Sequence, residues 1–481
     1  MKKTAAGSLR RAARYPRRSL ASVSAGGLVI ALAVSLAAAE NGRSIEQFYA
    51  AAKENDPVLG AARADYRARK EQLPQSRAAL LPSFSMGGSM SRVDRTFPGS
   101  RVDADPNSPS FGQVLTVPSQ SSDDQRWSAQ IRQPIFNAPN WFNYRRAQAL
   151  SVQAEHDLAN AELSLIVRVA AAYLDVLRAQ ARVEAARAEE QAVKRQLEQV
   201  QQRFDVGLVA ITDVLESTAA YDAAVVRRIQ ADGDHDVFFE TLKTITGVAH
   251  ERVDSLDAAL PIIDPDPNDQ EAWVARAVNS NLTILSAREG LIASQRGHRA
   301  VRAVILPRVS ASISHNYSSV GGGEFLSSES EARSYVVSAE IPSFQLTGLW
   351  PSFRESRHQV DRARQVLQER ESTVIRDTRN LFRTAVTDVV RVQARIRAIK
   401  SAESALAATQ TGYEVGTRNI VDVLQAQQRL FQSQFDYADS RYNYVLDMFR
   451  LKLSAGSLEE QDIRDLAAYT DPSNPVVRIT P

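Results

Sequence analysis

The sequence predicts a mainly α fold with a small β part, assembled from two copies of one plan. Three observations predict it. Two long stretches lack proline and carry a helical seam of apolar residues. Four short segments alternate apolar and polar residues. The chain repeats itself, with Gly207 and Gly416 standing 209 residues apart in matching motifs.

The helices come first. Proline is absent between Pro139 and Pro261, and again between Pro351 and Pro472. Both stretches are rich in Ala, Gln, Arg, Glu and Leu, which are strong helix formers. In the first, Leu163, Val167, Ala170, Leu174, Leu177 and Ala181 step by four and three. Val193, Leu197, Val200 and Phe204 resume the pattern after a phase shift, and Ala385, Val392, Ile396 and Ile399 follow it in the second stretch. Such spacing belongs to long helices packed side by side. A helix from Pro139, a favoured first-turn residue, to Val206 would run about 100 Å at about 1.5 Å per residue. That length demands a coiled coil, a stalk or a barrel stave.

The strands read differently. Val309, Ala311, Ile313, His315 and Tyr317 alternate with Ser310, Ser312, Ser314 and Asn316. Tyr335, Val337, Ala339 and Ile341 alternate with Val336, Ser338 and Glu340, and Trp127, Ala129 and Ile131 with Ser128, Gln130 and Arg132. Period-two patterning over about ten residues fits a strand with one apolar and one wet face, long enough to cross a bilayer in a closed barrel. A soluble hairpin at a domain tip is the alternative. Trp127 and Tyr335 are candidates for an aromatic belt at the membrane interface. Hairpins are expected over about 83–134 and about 307–342, with long helices over about 138–248 and about 351–455.

"FDVGLVAITDVL" at Phe204 to Leu215 answers "YEVGTRNIVDVL" at Tyr413 to Leu424. The first repeat is read as 40–260 and the second as 261–456, followed by a polar tail, 457–481, whose last ten or so residues are expected to be loose. Four strands cannot close a barrel, which needs at least about eight. If they span a membrane, several copies must share one barrel, because an unpaired edge cannot face lipid.

Residues 1–39 read as a secretory signal peptide: a basic leader with Arg10, Arg11, Arg14, Arg17 and Arg18, an apolar run from Leu20 to Leu36, then Ala37-Ala38-Ala39. An N-terminal membrane anchor is the alternative. After Glu40 there is no run of apolar residues long enough for a spanning helix.

Composition narrows the function. Lys+Arg (58) and Asp+Glu (56) leave a net charge of +2, which argues against a nucleic-acid binder. There is no cysteine, which excludes disulfides, thiolate metal sites and a cysteine nucleophile. The six histidines form no H-E-x-x-H, and "GLVAITDVL" lacks the lysine of a phosphate loop. No catalytic residue, metal site or cofactor is expected, and the chain reads as a non-enzyme.

The motifs "VGLVAITDV" (Val206 to Val214), "VGTRNIVDVL" (Val415 to Leu424) and "RYNYVLDMFRLKLSAGSLEEQDI" (Arg441 to Ile463) resemble the TolC family of outer-membrane channel proteins. "QPIFNAPNW" at Gln133 to Trp141 adds support, and the resemblance covers nearly the whole mature chain. It implies a homotrimer: a twelve-stranded barrel in the outer membrane, shared by three subunits, continued by a long helical barrel across the periplasm. It further implies a passive exit duct for drug efflux or type I protein secretion, docked by a periplasmic adaptor and an inner-membrane pump of RND or ABC type. A periplasmic coiled-coil structural or adaptor protein without a pore is the alternative. An adaptor usually has one helical hairpin, not two repeats each carrying strands.

Gly207 and Gly416 suit the turn between helices, where positive φ is needed. Thr212, Asp213, Asn419 or Asp422 can cap or enter the first turn of the next helix. The resemblance assigns more: Thr212, Asp213, Tyr413 and Arg418 match the links that hold the family's tunnel closed. Arg418 can pair with Asp213, and the Tyr413 hydroxyl can reach Asp213. A solvated polar face is the alternative. Asp422 matches a pore-lining aspartate, and three copies make an acidic ring that favours cations. The family's second ring aspartate is here Gln425, so a weaker cation preference is expected.

Overall fold

The structure is a computed structural model and describes residues 44–96, 99–116, 120–257, 259–321, 328–341 and 346–479. The expected signal peptide lies outside the described residues, as do Gly322 and Gly323 in the loop of the second expected hairpin. The first repeat opens with α1 (Ile45–Asn55), α2 (Pro57–Lys70) and α3 (Gln72–Ala78). Strand β1 (Ser83–Arg95) follows, then the small ribbon β2 (Ser100–Val102) and β3 (Val114–Thr116), then β4 (Gln120–Phe136). Next come the long helix α4 (Ala138–Asp205), α5 (Ile211–Thr246) and strand β5 (Arg252–Leu256).

The second repeat follows the same plan: α6 (Gln270–Ser280), α7 (Leu282–Arg302), β6 (Arg308–Gly321), β7 (Ser328–Glu340), α8 (Leu346–Glu414) and α9 (Ile420–Ala455). Helix α10 (Glu460–Ala467) and strand β8 (Thr470–Val477) end it.

The two hairpins form one antiparallel sheet in the order β1-β4-β6-β7. The register aligns Phe84, Ile131, Ile313 and Tyr335 in one row across it. Side chains alternate faces along a strand, so Phe84, Met86, Ile313, Tyr335 and Val337 share one face, and all five are exposed. The opposite face carries Ser85, Gln130, Ser314 and Ser334 in one row, with Ser89, Arg126, Ser318 and Ser330 in another. Among the described residues, the outer edges of β1 and β7 have no strand partner.

Helices α4 and α8 hold 68 and 69 residues, about 100 Å each at about 1.5 Å per residue. Asn137 caps α4 by accepting from the Asn140 N–H at 3.2 Å, and Pro139 sits in the first turn. The apolar seam read from the sequence is buried at Ala170, Leu174 and Leu177, beside Ile166, Val169, Tyr173 and Val176. Against it pack Ile45 and Phe48 of α1, Phe239 of α5 and Tyr444 of α9. The buried Tyr173 hydroxyl donates to the Asp254 carbonyl at 2.6 Å. In α8, Ala385 and Val392 are buried, but Ile396 is 52% exposed on the single chain.

Each repeat ends its return helix at a glycine with positive φ: Gly247 (φ 71) after α5 and Gly456 (φ 68) after α9. Each abuts the break between two short helices, Gly247 beside Asn55 and Gly456 beside Ser280. Asp56 caps α2 by accepting from the Leu59 N–H at 2.7 Å, and the Arg168 guanidinium grips the same carboxylate at 2.6 and 3.0 Å. This fork holds Asp56 below the usual carboxylate range against the opposing effect of its burial. Asn281 caps α7 and donates to the Ser454 carbonyl at 2.9 Å.

The loose end expected for the tail is corrected. Strand β8 pairs with β5, and Leu458, Ile463, Leu466 and Val476 are buried in the main core. Among the described residues of "DPSNPVVRITP", Val476 alone is buried, amid polar residues and prolines, so no periodic pattern marks the strand in the sequence.

Candidate functional site at the two helix turns

Helix α4 turns into α5 at Val206–Ala210, and α8 into α9 at Val415–Asn419. The same bonding closes both. The Leu208 N–H donates to the Arg203 carbonyl at 2.8 Å, and the Thr417 N–H to the Gly412 carbonyl at 2.8 Å. This closure needs a left-handed residue, supplied by Gly207 (φ 79) and Gly416 (φ 78). Val193, Val200 and Val214 pack with Ile420, Val423 and Leu424, so one small apolar cluster binds both turns together.

The first turns of α5 and α9 differ. Ala210 precedes α5 and provides no side-chain cap, leaving Thr212 exposed and Asp213 half-buried. Asn419 caps α9 by accepting from the Asp422 N–H at 2.8 Å. The Asp422 carboxylate lies 3.8 Å from Arg418, one helical turn back. The pairing of Arg418 with Asp213 expected from the sequence is therefore replaced, within one chain, by Arg418 with Asp422. Both residues flank the same turn, so closing this pair requires no movement of another helix. Gln425 is exposed.

The Tyr413 hydroxyl is buried with no hydrogen-bond partner, so the expected bond to Asp213 is not made within the chain. Burial raises its phenol above the ordinary value; Arg203 opposes the rise and nearby Asp213 adds to it. The Arg203 guanidinium sits 5.0 Å from the centre of the Tyr413 ring. A cavity of about 540 Å³ opens beside it, lined by Gln196, Gln199, Gln202, Arg203, Gln410 and Tyr413. Amide side chains offer donors and acceptors without fixed charge.

Two residues of this site escape a local reading of the sequence. Arg203 meets Tyr413 only across two helices. Gly412 makes room for Arg418, since a Cβ there would lie 2.8 Å from Arg418 Cγ. Alignment of the repeats supplies a signal for both: Arg203 occupies, in the first, the place of Gly412 in the second.

At the far end of the molecule, Trp127 packs against His315 at 4.8 Å and stacks on Tyr317 at 5.9 Å. Tyr335 is 75% exposed in the apolar row of the sheet. Among the described residues, no group of three or more His, Asp or Glu is placed to hold a metal ion, and no helix is long and apolar enough to cross a membrane.

A sequence model described as "Outer membrane efflux protein" matches residues 48–248 and 273–457. The chain is 29% identical over 437 residues to the outer membrane protein TolC of Vibrio cholerae, covering 90% of this chain and 95% of that protein. It is 25% identical over 426 residues to the alkaline protease secretion protein AprF of Pseudomonas aeruginosa, covering 87% and 86%. The fold matches the solved outer-membrane channel OprN with a TM-score of 0.70 at 20% identity, over 86% of this chain and 90% of that one. With both repeats matched along most of their length, the chain belongs to the outer membrane efflux protein family.

Proposed function

We propose that three copies of this chain close one twelve-stranded barrel in the outer membrane and prolong it as a helical tunnel. The tunnel is a passive exit duct for multidrug efflux or type I secretion. A periplasmic adaptor and an inner-membrane pump of RND or ABC type dock at its helical end and supply the energy. The observation that carries this reading is the sheet: four strands, one apolar exposed face, two edges without partners among the described residues, and β4 running straight into α4. Open edges are not tolerated in hydrocarbon, so β7 of one copy must pair with β1 of the next. The helices support the same assembly. Val226 and Ile229 of α5, and Val390 and Ile396 of α8, are all more than half exposed on the single chain. Stripes of this kind are covered when neighbouring subunits pack side by side.

In this reading the two turns form the inner end of the tunnel. Thr212, Asp213, Tyr413 and Arg418 hold it closed across helices and between subunits. The unpartnered Tyr413 hydroxyl is the group that an incoming residue of a neighbouring helix satisfies. Surface links of this type are individually weak, about 0–1 kcal/mol each, so a docking partner can break them. Trp127 and Tyr335 hold the barrel at the membrane interfaces.

Asp422 lines the bore at the constriction, and its cation preference is weak for two reasons: Gln425 removes the second charged ring, and Arg418 neutralises part of the first. Planar-bilayer reversal potentials check this. Asp422→Ala is expected to lose the small cation preference of the wild type, and equal potentials exclude Asp422 as the filter. The assembly itself is tested by purification from outer-membrane fractions. Heat-resistant trimers that conduct in bilayers are expected, and a monomer released without detergent overturns the reading.

A further inference from the structure

Each repeat carries the same five-residue pattern where the sheet gives way to a long helix: "WFNYR" at Trp141 to Arg145 and "WPSFR" at Trp350 to Arg354, again 209 residues apart. In both, the tryptophan ring meets the aromatic ring three positions on, tilted in the first and edge-on in the second, with ring centres 6.0 Å apart in each case. Trp141 and Trp350 are 50% and 65% exposed, which is unusual for the largest apolar side chain. The Arg145 guanidinium lies 5.9 Å from the Trp141 ring.

The charge around these rings is lopsided. The first twelve residues of α4 contain Arg145 and Arg146 and no carboxylate; those of α8 contain Arg354 and Arg357 against Glu355 alone. Arg302 ends α7 six residues before β6 begins, and Arg77 sits in the last turn of α3 just ahead of β1. Among the described residues none of these six arginines lies in an ion pair, whereas arginines farther down the rods are paired repeatedly, as with Arg178, Arg187, Arg227 and Arg228. A level that holds exposed tryptophans and a net excess of arginines outside any ion pair, directly beneath an apolar-faced sheet, matches the boundary between hydrocarbon and anionic headgroups.

We propose that this collar binds the headgroups of anionic phospholipids in the leaflet on the helical side of the barrel. Arg145 and Arg354 hold the phosphates, and Trp141 and Trp350 seat at the glycerol level above them. The inference rests on the reading of the sheet as lipid-embedded. It adds a lipid preference and an anchoring depth to that reading.

The test uses the full trimer in vesicles of phosphatidylcholine carrying either brominated phosphatidylcholine or brominated phosphatidylglycerol, read by quenching of tryptophan fluorescence. Stronger quenching by phosphatidylglycerol is expected, because each arginine near an anionic surface enriches such lipid about fivefold. The preference should vanish in Arg145→Gln/Arg354→Gln and persist in Arg145→Lys/Arg354→Lys. The same preferential quenching should be lost in Trp141→Phe/Trp350→Phe, which leaves Trp127 as the exposed tryptophan and Trp273 buried as an unquenched control. All these side chains are exposed or unpaired, so folding is not at stake. Equal quenching by the two lipids, or a preference that survives loss of both arginines, overturns the proposal and leaves the barrel reading standing. Quenching by neither lipid overturns both.

Discussion

Replacing Gly456 with alanine is expected to destabilise the chain by about 3 kcal/mol or more, the largest effect of a Cβ added at any described glycine. Two penalties combine there. Gly456 has φ 68, a conformation that costs an L-residue about 1 kcal/mol. A Cβ at this position would also stand 2.5 Å from the Ser280 carbonyl oxygen and 2.6 Å from its carbon. Those are backbone atoms at the break between α6 and α7, where Asn281 is tied to Ser454. They cannot rotate away as a side chain can, so the end of α9 must lift off the break. The other glycines give an internal control. Gly207 and Gly416 share the positive φ, but nothing lies within 4 Å of a Cβ at either, so alanine there carries the strain alone, about 1 kcal/mol. Gly247 falls between, because the nearest atoms, 2.7 Å away, belong to the Asn55 side chain. Denaturant unfolding in detergent should rank the variants Gly456→Ala, then Gly247→Ala, then Gly416→Ala with Gly207→Ala. If Gly456→Ala and Gly416→Ala unfold together, the backbone clash is not real.

This ranking also marks what the sequence could reveal. The turn glycines were legible because "VGL" and "VGT" sit between two helical patterns and repeat at a fixed offset. The packing glycines share that offset, Gly247 with Gly456, yet their role depends on Asn55 and Ser280, far away in the chain. The long helices and the sheet faces were legible because periodicity is a local property. The joining of the two hairpins through β4 and β6 was not, since no local pattern sets which strands become neighbours. At the turns, the sequence suggests Arg418 with Asp213, whereas within one chain Arg418 lies 3.8 Å from Asp422. Arg418 reaches Asp422 because Asn419 caps the new helix and brings its first turn, with Asp422, back beside the residue before the cap. A contact four residues apart in the chain closes a short loop at little entropic cost, whereas a contact with Asp213 must order two helices at once.

Replacing Asp388 with asparagine is expected to stabilise the protein above pH 7 and to leave it nearly unchanged near pH 4. Asp388 interrupts the apolar seam of α8 between Ala385 and Val392, and it is fully buried. One carboxylate oxygen accepts from Arg391 at 2.5 Å. The other is buried without a donor, and Asp447 of α9 lies within hydrogen-bonding reach of the side chain. Asp447 is itself paired with Arg450 at 3.0 Å. Burial, with Asp447 adding to it and Arg391 opposing, raises Asp388 from 3.8 to about 6. The folded chain therefore holds this proton more tightly than the unfolded chain does. Stability is greatest below the unfolded value, falls as pH rises through the interval, and carries the whole cost above about 6. A shift of this size corresponds to about 2 to 3 kcal/mol. Asparagine keeps an oxygen for Arg391 and presents a permanent N–H to Asp447, so it supplies at every pH the donor that aspartate supplies only when protonated. Asp175 and Asp254 are raised by burial too, and they contribute equally to both proteins, so the informative quantity is the difference between the two stability curves. That difference should open between pH 4 and pH 7 with the asparagine variant on top. A constant offset across the range would mean that Asp388 is already charged in the folded chain at low pH, and that its second oxygen finds a donor other than a shared proton.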